Sequence, residues 1–544
     1  MTKNNSDNNV RERLRFMAWF DEAVFYHIYP LGLTGAPVQN PYAQPVNRLD
    51  ALIPWLDHIK GLGCNALYIG PLFESVGHGY ETTDYYKLDS RLGTNETLKS
   101  FVRQCHDRGI RVVLDGVFNH VGRDFFAFRD LQTNREGSSY RDWFCNVNFH
   151  GNNRYNDGFR YDNWGGHDLL VKLNQRNPGV RDYICDVIRF WVREFDIDGI
   201  RLDAADVLDF GFMQALRQVA NQVKPEFWLM GEVIHGNYSM WVNDRTLHSV
   251  TNYQLHQALF SGHNSNNYFE IAHTVDRICS MGLRLYNFVD NHDVERIYSK
   301  LSNKAHFVPV HILLYTLPGV PSVYYGSEFG IEGRKAHGTD APLRPALHLD
   351  HFRENGLAKF IAALGRIRQS TKILSYGDYK QLHLTNTQYA FSRSCGQWDA
   401  VVTVNNEGGS ADMHLPVKGS VYVGALSGAR VEAQNGWIHV AIGGNTGEIW
   451  LPENVNDADI TPVLEQAKQN LQPVSAPDVP HGEQPTAKAA PPGKPYEHMT
   501  VPELRQVILD KMAKNGPVTD RMRQDVMENR WRDSLLTWVR SFNN

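Results

Sequence analysis

Three apolar runs in the chain end in carboxylates, and the residues around those acids are suited to chemistry. In Asp198-Gly199-Ile200-Arg201-Leu202-Asp203 the side chains alternate, so Arg201 and Asp203 share one face of a strand while Ile200 and Leu202 take the other. A permanent cation beside an aspartate favours the ionised, nucleophilic form of the acid. The run Phe227-Trp228-Leu229-Met230-Gly231-Glu232 ends in a glutamate whose apolar setting suits a carboxyl group that keeps its proton and donates it. A third acid closes Phe288-Val289-Asp290-Asn291-His292-Asp293. Singly, each acid could cap a helix or join a surface ion pair. Three buried-looking strands with the same ending call for a common explanation.

The elements that carry these acids follow one rhythm. A short aromatic-rich strand over 24–29 stops at Pro30, a helix covers 52–59, and a second strand covers 65–70. Leu98, Phe101, Val102 and Cys105 recur at helical spacing before a third strand over 111–115. A long stretch over 119–176, crowded with Asn, Gly, Tyr, Trp and Phe, interrupts the rhythm as a functional loop or small inserted domain would. Asn177-Pro178 then opens a helix with an apolar stripe of Val180, Ile184, Val187, Ile188, Trp191 and Phe195. Beyond the strand ending at Asp203, the pattern predicts a helix over 212–223, strands ending at Glu232 and over 247–251, and a helix near 271–281. It then predicts the strand ending at Asp293, a helix over 307–317, a strand over 322–325 and a helix over 357–367. Eight near-continuously apolar strands, each followed by a helix, predict an α/β fold of the (β/α)8 barrel type. Barrel active sites gather at the carboxyl ends of the strands, where Asp115, Arg201, Asp203, Glu232, His292 and Asp293 all fall.

Composition sets the frame. The 544 residues are too many for one ordinary domain, and 42% apolar content is ample for large cores. Lys plus Arg at 55 against Asp plus Glu at 60, with no long basic run, argues against nucleic acid as a partner. The polar first nine residues lack a signal-peptide core, no segment is apolar for long enough to span a bilayer, and six scattered cysteines show neither metal-ligand spacing nor a compact disulfide pattern. A reduced, cytoplasmic protein that does not engage a membrane is expected. Past the barrel, short β-like runs predict an all-β sandwich. A Pro/Ala-rich linker follows, and then a helical tail that either packs on the body or docks a protein or polysaccharide. The predicted organisation is an N-terminal extension over 1–22, a barrel over 23–118 and 177–372, an inserted domain over 119–176, a sandwich over 373–453, a linker over 454–498 and a tail over 499–544.

Four blocks resemble the α-amylase family of glycoside hydrolases: Asp115-Gly116-Val117-Phe118-Asn119-His120, Gly199-Ile200-Arg201-Leu202-Asp203, Gly231-Glu232-Val233, and Phe288-Val289-Asp290-Asn291-His292-Asp293. Supporting runs are His78-Gly79-Tyr80-Glu81-Thr82-Thr83-Asp84-Tyr85 and Pro318-Gly319-Val320-Pro321-Ser322-Val323-Tyr324-Tyr325-Gly326. The resemblance covers about residues 20–453 and leaves the tail unaddressed. It implies Asp203 as nucleophile, Glu232 as general acid and base, and Asp293 as the carboxylate that grips sugar hydroxyls. It implies substrate-binding places for Tyr80 as an aromatic platform, for His120 and His292 as hydrogen-bond donors, and for Arg201, Asp115 and Asn119. Trp164, in the inserted segment, is a stacking residue or ordinary packing.

Two departures from the family pattern stand out. Relatives with a structural calcium use the asparagine of the first block, an aspartate in the inserted domain and a histidine after the nucleophile. Asn119 is present here, but Lys172 and Val207 stand at the other two places. A lysine ammonium in place of an oxygen ligand predicts no metal and no cofactor requirement. The second departure is Ala204 after the nucleophile, where relatives carry valine or threonine, which leaves linkage preference open. The stretch before the first strand is also short for the extra N-terminal domain of cyclodextrin-hydrolysing and neopullulanase relatives, which counts against those activities.

The resemblance implies a retaining hydrolase that cuts mainly α-1,4 bonds of maltodextrins or of glycogen- or starch-derived oligosaccharides. An exo-acting α-glucosidase or a 4-α-glucanotransferase would use the same acids. A silent carbohydrate-binding scaffold is disfavoured by the complete acid set.

Overall fold

The computed structural model describes residues 18–336, 339–352, 355–455, 461, 501–515 and 526. Eight parallel strands form the centre: β1 (Phe25–Ile28), β2 (Ala66–Ile69), β3 (Arg111–Gly116), β4 (Gly199–Leu202), β5 (Trp228–Gly231), β6 (Ser249–Val250), β7 (Tyr286–Phe288) and β8 (Val320–Tyr324). Their order is β6-β5-β4-β3-β2-β1-β8-β7, and a parallel bridge between Thr251 and Tyr286 closes the ring into the predicted barrel.

Strand alternation divides the apolar side chains between two cores. Phe25, Ala66, Tyr68, Val113, Trp228, Met230, Tyr286, Phe288 and Val320 fill the barrel interior as one buried cluster. Their neighbours Tyr26, Leu67, Val112, Leu114, Ile200 and Leu229 join the layer that packs on the surrounding helices. Along the interior face the composition turns from apolar to polar towards the strand ends, from Phe25 to His27, from Val113 to Asp115, and from Gly199 through Arg201 to Asp203. Gly70, which follows β2, makes room for this change, since a Cβ there would meet the Asp115 Cβ at 2.4 Å.

The helices hold this ring in place. The helix Pro178–Phe195 starts as its sequence predicts, with Asn177 Oδ1 accepting from the Gly179 backbone N–H at 2.8 Å, and its apolar stripe is buried. Between β6 and β7 the chain forms two helices, Tyr253–Asn264 and Tyr268–Ser280, where the sequence predicts one. The first escapes a periodicity reading because its buried face includes His256, Gly262 and His263.

The insert after β3 is more regular than its composition suggests. It holds a helix, Phe126–Asn134, and a three-stranded sheet of His120–Val121, His167–Lys172 and Asn163–Trp164. Beyond the barrel, a six-stranded antiparallel sheet starting at Asp378–Leu384 faces the ribbon of Ala411–Pro416 and Trp437–Ile442, and a cluster that includes Val401, Met413, Tyr422, Ile438 and Trp450 lies between them. The first tail helix runs over Val501–Asn515. Most of the predicted linker, and the predicted tail beyond 515 apart from residue 526, lie outside the described residues. Among the described residues no helix is long and apolar enough to cross a membrane, and the six cysteines are free thiols.

Candidate active site

The site follows from strand register. Asp115 on β3 pairs with Arg201 on β4, and Leu202 on β4 pairs with Gly231 on β5. One residue further, Asp203 and Glu232 leave neighbouring strands at the same level, tied by Asp203 N–H to Gly116 O (3.1 Å) and Glu232 N–H to Leu202 O (2.9 Å). Adjacent strands lie about 4.8 Å apart. That spacing suits two carboxyl groups meant to act on opposite sides of one bond.

Arg201 binds the acids together. Its Nη1 donates to Asp203 Oδ1 at 2.9 Å and to Asp115 Oδ1 at 2.8 Å, while its Nη2 lies 2.8 Å from Glu232 Oε2. One cation thus serves three carboxylates, which corrects the expectation that Arg201 simply keeps Asp203 ionised. Burial pushes the Asp203 carboxyl well above the usual carboxylate range; Arg201 opposes this, and the charges of Glu232 and Asp115 add to it.

Asp115 stands behind these groups. Its side chain has no exposed area, and it accepts from Arg201 and also from Tyr68 and Tyr80, whose hydroxyls reach Oδ2 at 2.9 and 3.1 Å. Its place is under the acids, holding Arg201 and Tyr80; the resemblance implies a substrate-binding place for it.

Asp293 has the opposite environment. Burial would raise its carboxyl, but the His292 imidazole (Nε2 to Oδ2, 3.0 Å) and the Arg344 guanidinium (Nη2 to Oδ1, 2.7 Å) outweigh burial and hold it well below the usual carboxylate range. Tyr80 lies parallel to the His292 ring at 5.7 Å between centroids, and its hydroxyl hydrogen-bonds to Nε2. His120 is buried and kept neutral, its pKa pushed down to about 3 by burial first and by neighbouring His78 second. Trp164 lies parallel to His120 at 6.2 Å, so the inserted sheet carries it to the site.

Sequence reading missed Arg344, whose Nε also donates to the His292 carbonyl at 3.0 Å and whose guanidinium lies over Tyr29. It belongs to a short turn after Ala341–Leu343, with no strand or repeat to draw attention to it. Tyr253 was missed as well. Its hydroxyl donates to Glu232 Oε1 at 3.4 Å from the helix that went unpredicted. Ala204 adopts a left-handed backbone (φ 46°) and directs its N–H to Glu232 Oε2 at 3.1 Å, so the residue after Asp203 also contacts the second acid.

The residues at the family's calcium position do not fit a calcium ion. Asn119 is fully buried, and its only side-chain oxygen accepts from Gln175 Nε2 at 3.3 Å. Lys172 brings a positive charge close enough to disfavour protonation of His120. Calcium needs six to eight oxygen ligands, and this place offers a committed amide and an ammonium.

Comparison with known proteins finds similarity across most of the chain. The family model described as "Alpha amylase, catalytic domain" matches residues 43–418. A cyclomaltodextrinase from a Bacillus species is 32% identical over 423 residues, covering 72% of this chain and 74% of that protein. Neopullulanase 2 of Thermoactinomyces vulgaris is 30% identical over 455 residues, covering 78% of this chain and 76% of that protein. A solved cyclomaltodextrinase structure superimposes with a TM-score of 0.71 at 28% identity, covering 79% of this chain and 78% of the other.

Proposed function

The chain belongs to the α-amylase family of glycoside hydrolases, and on that premise we propose that it is a retaining hydrolase in which Asp203 attacks the anomeric carbon while Glu232 protonates the departing glycosidic oxygen. Family membership makes α-1,4 bonds of maltodextrins its substrate and double displacement its chemistry. One observation above all supports the residue roles: a single guanidinium spans Asp203 and Glu232.

The proposed cycle starts with Glu232 in its acid role and Asp203 as the nucleophile. A bound glycosidic oxygen accepts a hydrogen bond from Glu232, while Arg201 favours the ionised form of Asp203 facing the anomeric carbon. Asp203 forms the covalent glycosyl ester as Glu232 gives up its proton. Glu232, now ionised, takes a proton from water, and the water oxygen displaces Asp203 from the sugar. Asp293, held ionised by His292 and Arg344, accepts hydrogen bonds from sugar hydroxyls that strengthen as the ring gains positive charge. Tyr80 supplies the flat surface beneath that ring.

The substrate range we propose is short α-1,4 glucans, both linear and cyclic. Relatives named cyclomaltodextrinase support including cyclic substrates, against the expectation drawn from the short N-terminal stretch. We further propose that the enzyme works without calcium, and that it acts in the cytoplasm on glycogen- or starch-derived oligosaccharides. The free cysteines favour a reducing compartment. Product time courses from maltoheptaose and β-cyclodextrin test the reading, with Asp203→Asn as control. Maltooligosaccharides appearing early from both, and a loss of about a thousandfold or more in the variant, are expected. Glucose alone from the start would point to an exo-glucosidase, and products longer than the substrate to a transferase.

A further inference from the structure

His27, at the inner face of β1, lies against the catalytic layer on two sides. Its ring stacks on Tyr68 at 4.1 Å between centroids, and Tyr68 donates to Asp115, which in turn holds Arg201. Its other neighbour is His292, whose ring stands edge to face with it at 5.1 Å and 88°. Both side chains are buried to 2% exposure. His27 therefore touches the nucleophile's support and the partner of Asp293 at once.

The nitrogens of this pair leave two needs unmet. His292 Nε2 is accounted for: it faces the Asp293 carboxylate and the Tyr80 hydroxyl, and Tyr80 spends its own proton on Asp115. A carboxylate only accepts, so Nε2 must carry the hydrogen. His292 Nδ1 and His27 Nε2, by contrast, are both buried with no hydrogen-bond partner among the described residues. A buried polar atom left unpaired is costly, and with the two rings in contact edge to face, one water that donates to one nitrogen and pairs with the other would meet both needs. Burial above all keeps His27 neutral, so it can offer a lone pair or a hydrogen to such a water.

We propose that His27 is a positioning residue for His292, the two imidazoles being joined by one buried water between His27 Nε2 and His292 Nδ1. The bridge selects the His292 tautomer with hydrogen on Nε2 and fixes the ring so that this hydrogen faces Asp293. The inference rests on the glycosidase reading for its kinetic consequence, and its structural half stands without it. Nothing in it needs a further reactant, since no bond to carbon forms or breaks at His27.

A neutron crystal structure of the wild-type enzyme tests the bridge, and two variants test its effect. His27→Phe keeps a ring against Tyr68 but removes both nitrogens; His27→Gln restores a polar tip. The expected map shows a water between the two named nitrogens and deuterium on His292 Nε2. The expected kinetics on maltoheptaose are a fall in kcat of about tenfold to a hundredfold in His27→Phe with KM within about twofold, and recovery of most of it in His27→Gln. A wild-type map without that water overturns the proposal, as does wild-type kcat in His27→Phe. If His27→Phe fails to fold, the map and a folded His27→Gln with near-normal kcat carry the test. A folded His27→Gln no better than a loss variant overturns it. Inactivity of the wild-type enzyme on every maltodextrin would count against the proposed function instead, leaving the map to judge the bridge.

Discussion

Arg201 reaches Asp203 Oδ1 through Nη1 at 2.9 Å and Glu232 Oε2 through Nη2 at 2.8 Å, so one planar fork fixes the two acids relative to each other. Lysine brings the same charge but only one nitrogen, and cannot bridge both. Arg201→Lys is therefore expected to lower kcat on maltoheptaose by about a hundredfold or more, with the fold retained by circular dichroism. Near-normal kcat would show that the fork is dispensable.

Arg344 is the cation that sequence reading did not find, and its contact with Asp293 makes a pH prediction. Its guanidinium helps hold the Asp293 carboxyl far below its ordinary value. Removing it in Arg344→Met lets that value rise, so the ionised form is lost at higher pH as acid is added. The acid limb of kcat/KM should move to higher pH, with a loss of about tenfold to a hundredfold at pH 7. An unmoved limb would place the dependence on other groups.

Buried neutral histidines give the fold an acid weakness. His263 and His311 are fully buried and pushed down to about 3 and about 4, burial being the main cause in both. Their folded values lie below the unfolded value of about 6.5, so between these limits the unfolded chain binds the extra protons. Stability is complete above about pH 6.5 and is lost as pH falls towards 4, at up to about 1.4 kcal/mol per pH unit for each such histidine. Urea midpoints should drop between pH 7 and pH 5, and His311→Phe should shrink that drop. Equal midpoints at both pH values would contradict the prediction.

Asn119, whose oxygen accepts from Gln175, and Lys172, whose charge lies near His120, are poor ligands for calcium. Treatment with a chelator should leave Tm and kcat unchanged, and added calcium should raise neither. A chelator-induced fall in Tm reversed by calcium would contradict this.

Much of the fold could be read from the sequence because parallel strands buried on both faces are written as apolar runs. Those ending at Asp115, Asp203 and Glu232 announce both the barrel and the acids. The helix Pro178–Phe195 was legible for the same reason, with its cap and stripe in plain view. What escaped has polar residues facing inward or no period at all. The helix Tyr253–Asn264 buries His256 and His263, and so Tyr253 was not seen as a neighbour of Glu232. Arg344 comes from a turn about fifty residues past Asp293 and meets it only through the fold. The sharing of Arg201 among three carboxylates was hidden too, because it depends on the register of β3, β4 and β5 rather than on any one of them.

The central claim is that Asp203 carries the sugar between the two displacements. Turnover of a slow 5-fluoro-α-glucosyl fluoride, quenched and followed by peptide mass mapping, tests it most directly. The account predicts a fluoroglucosyl ester on the peptide that contains Asp203, located on that residue by fragmentation and absent from Asp203→Asn. An ester on Glu232 or Asp293, or rapid turnover with no covalent species at all, would contradict it.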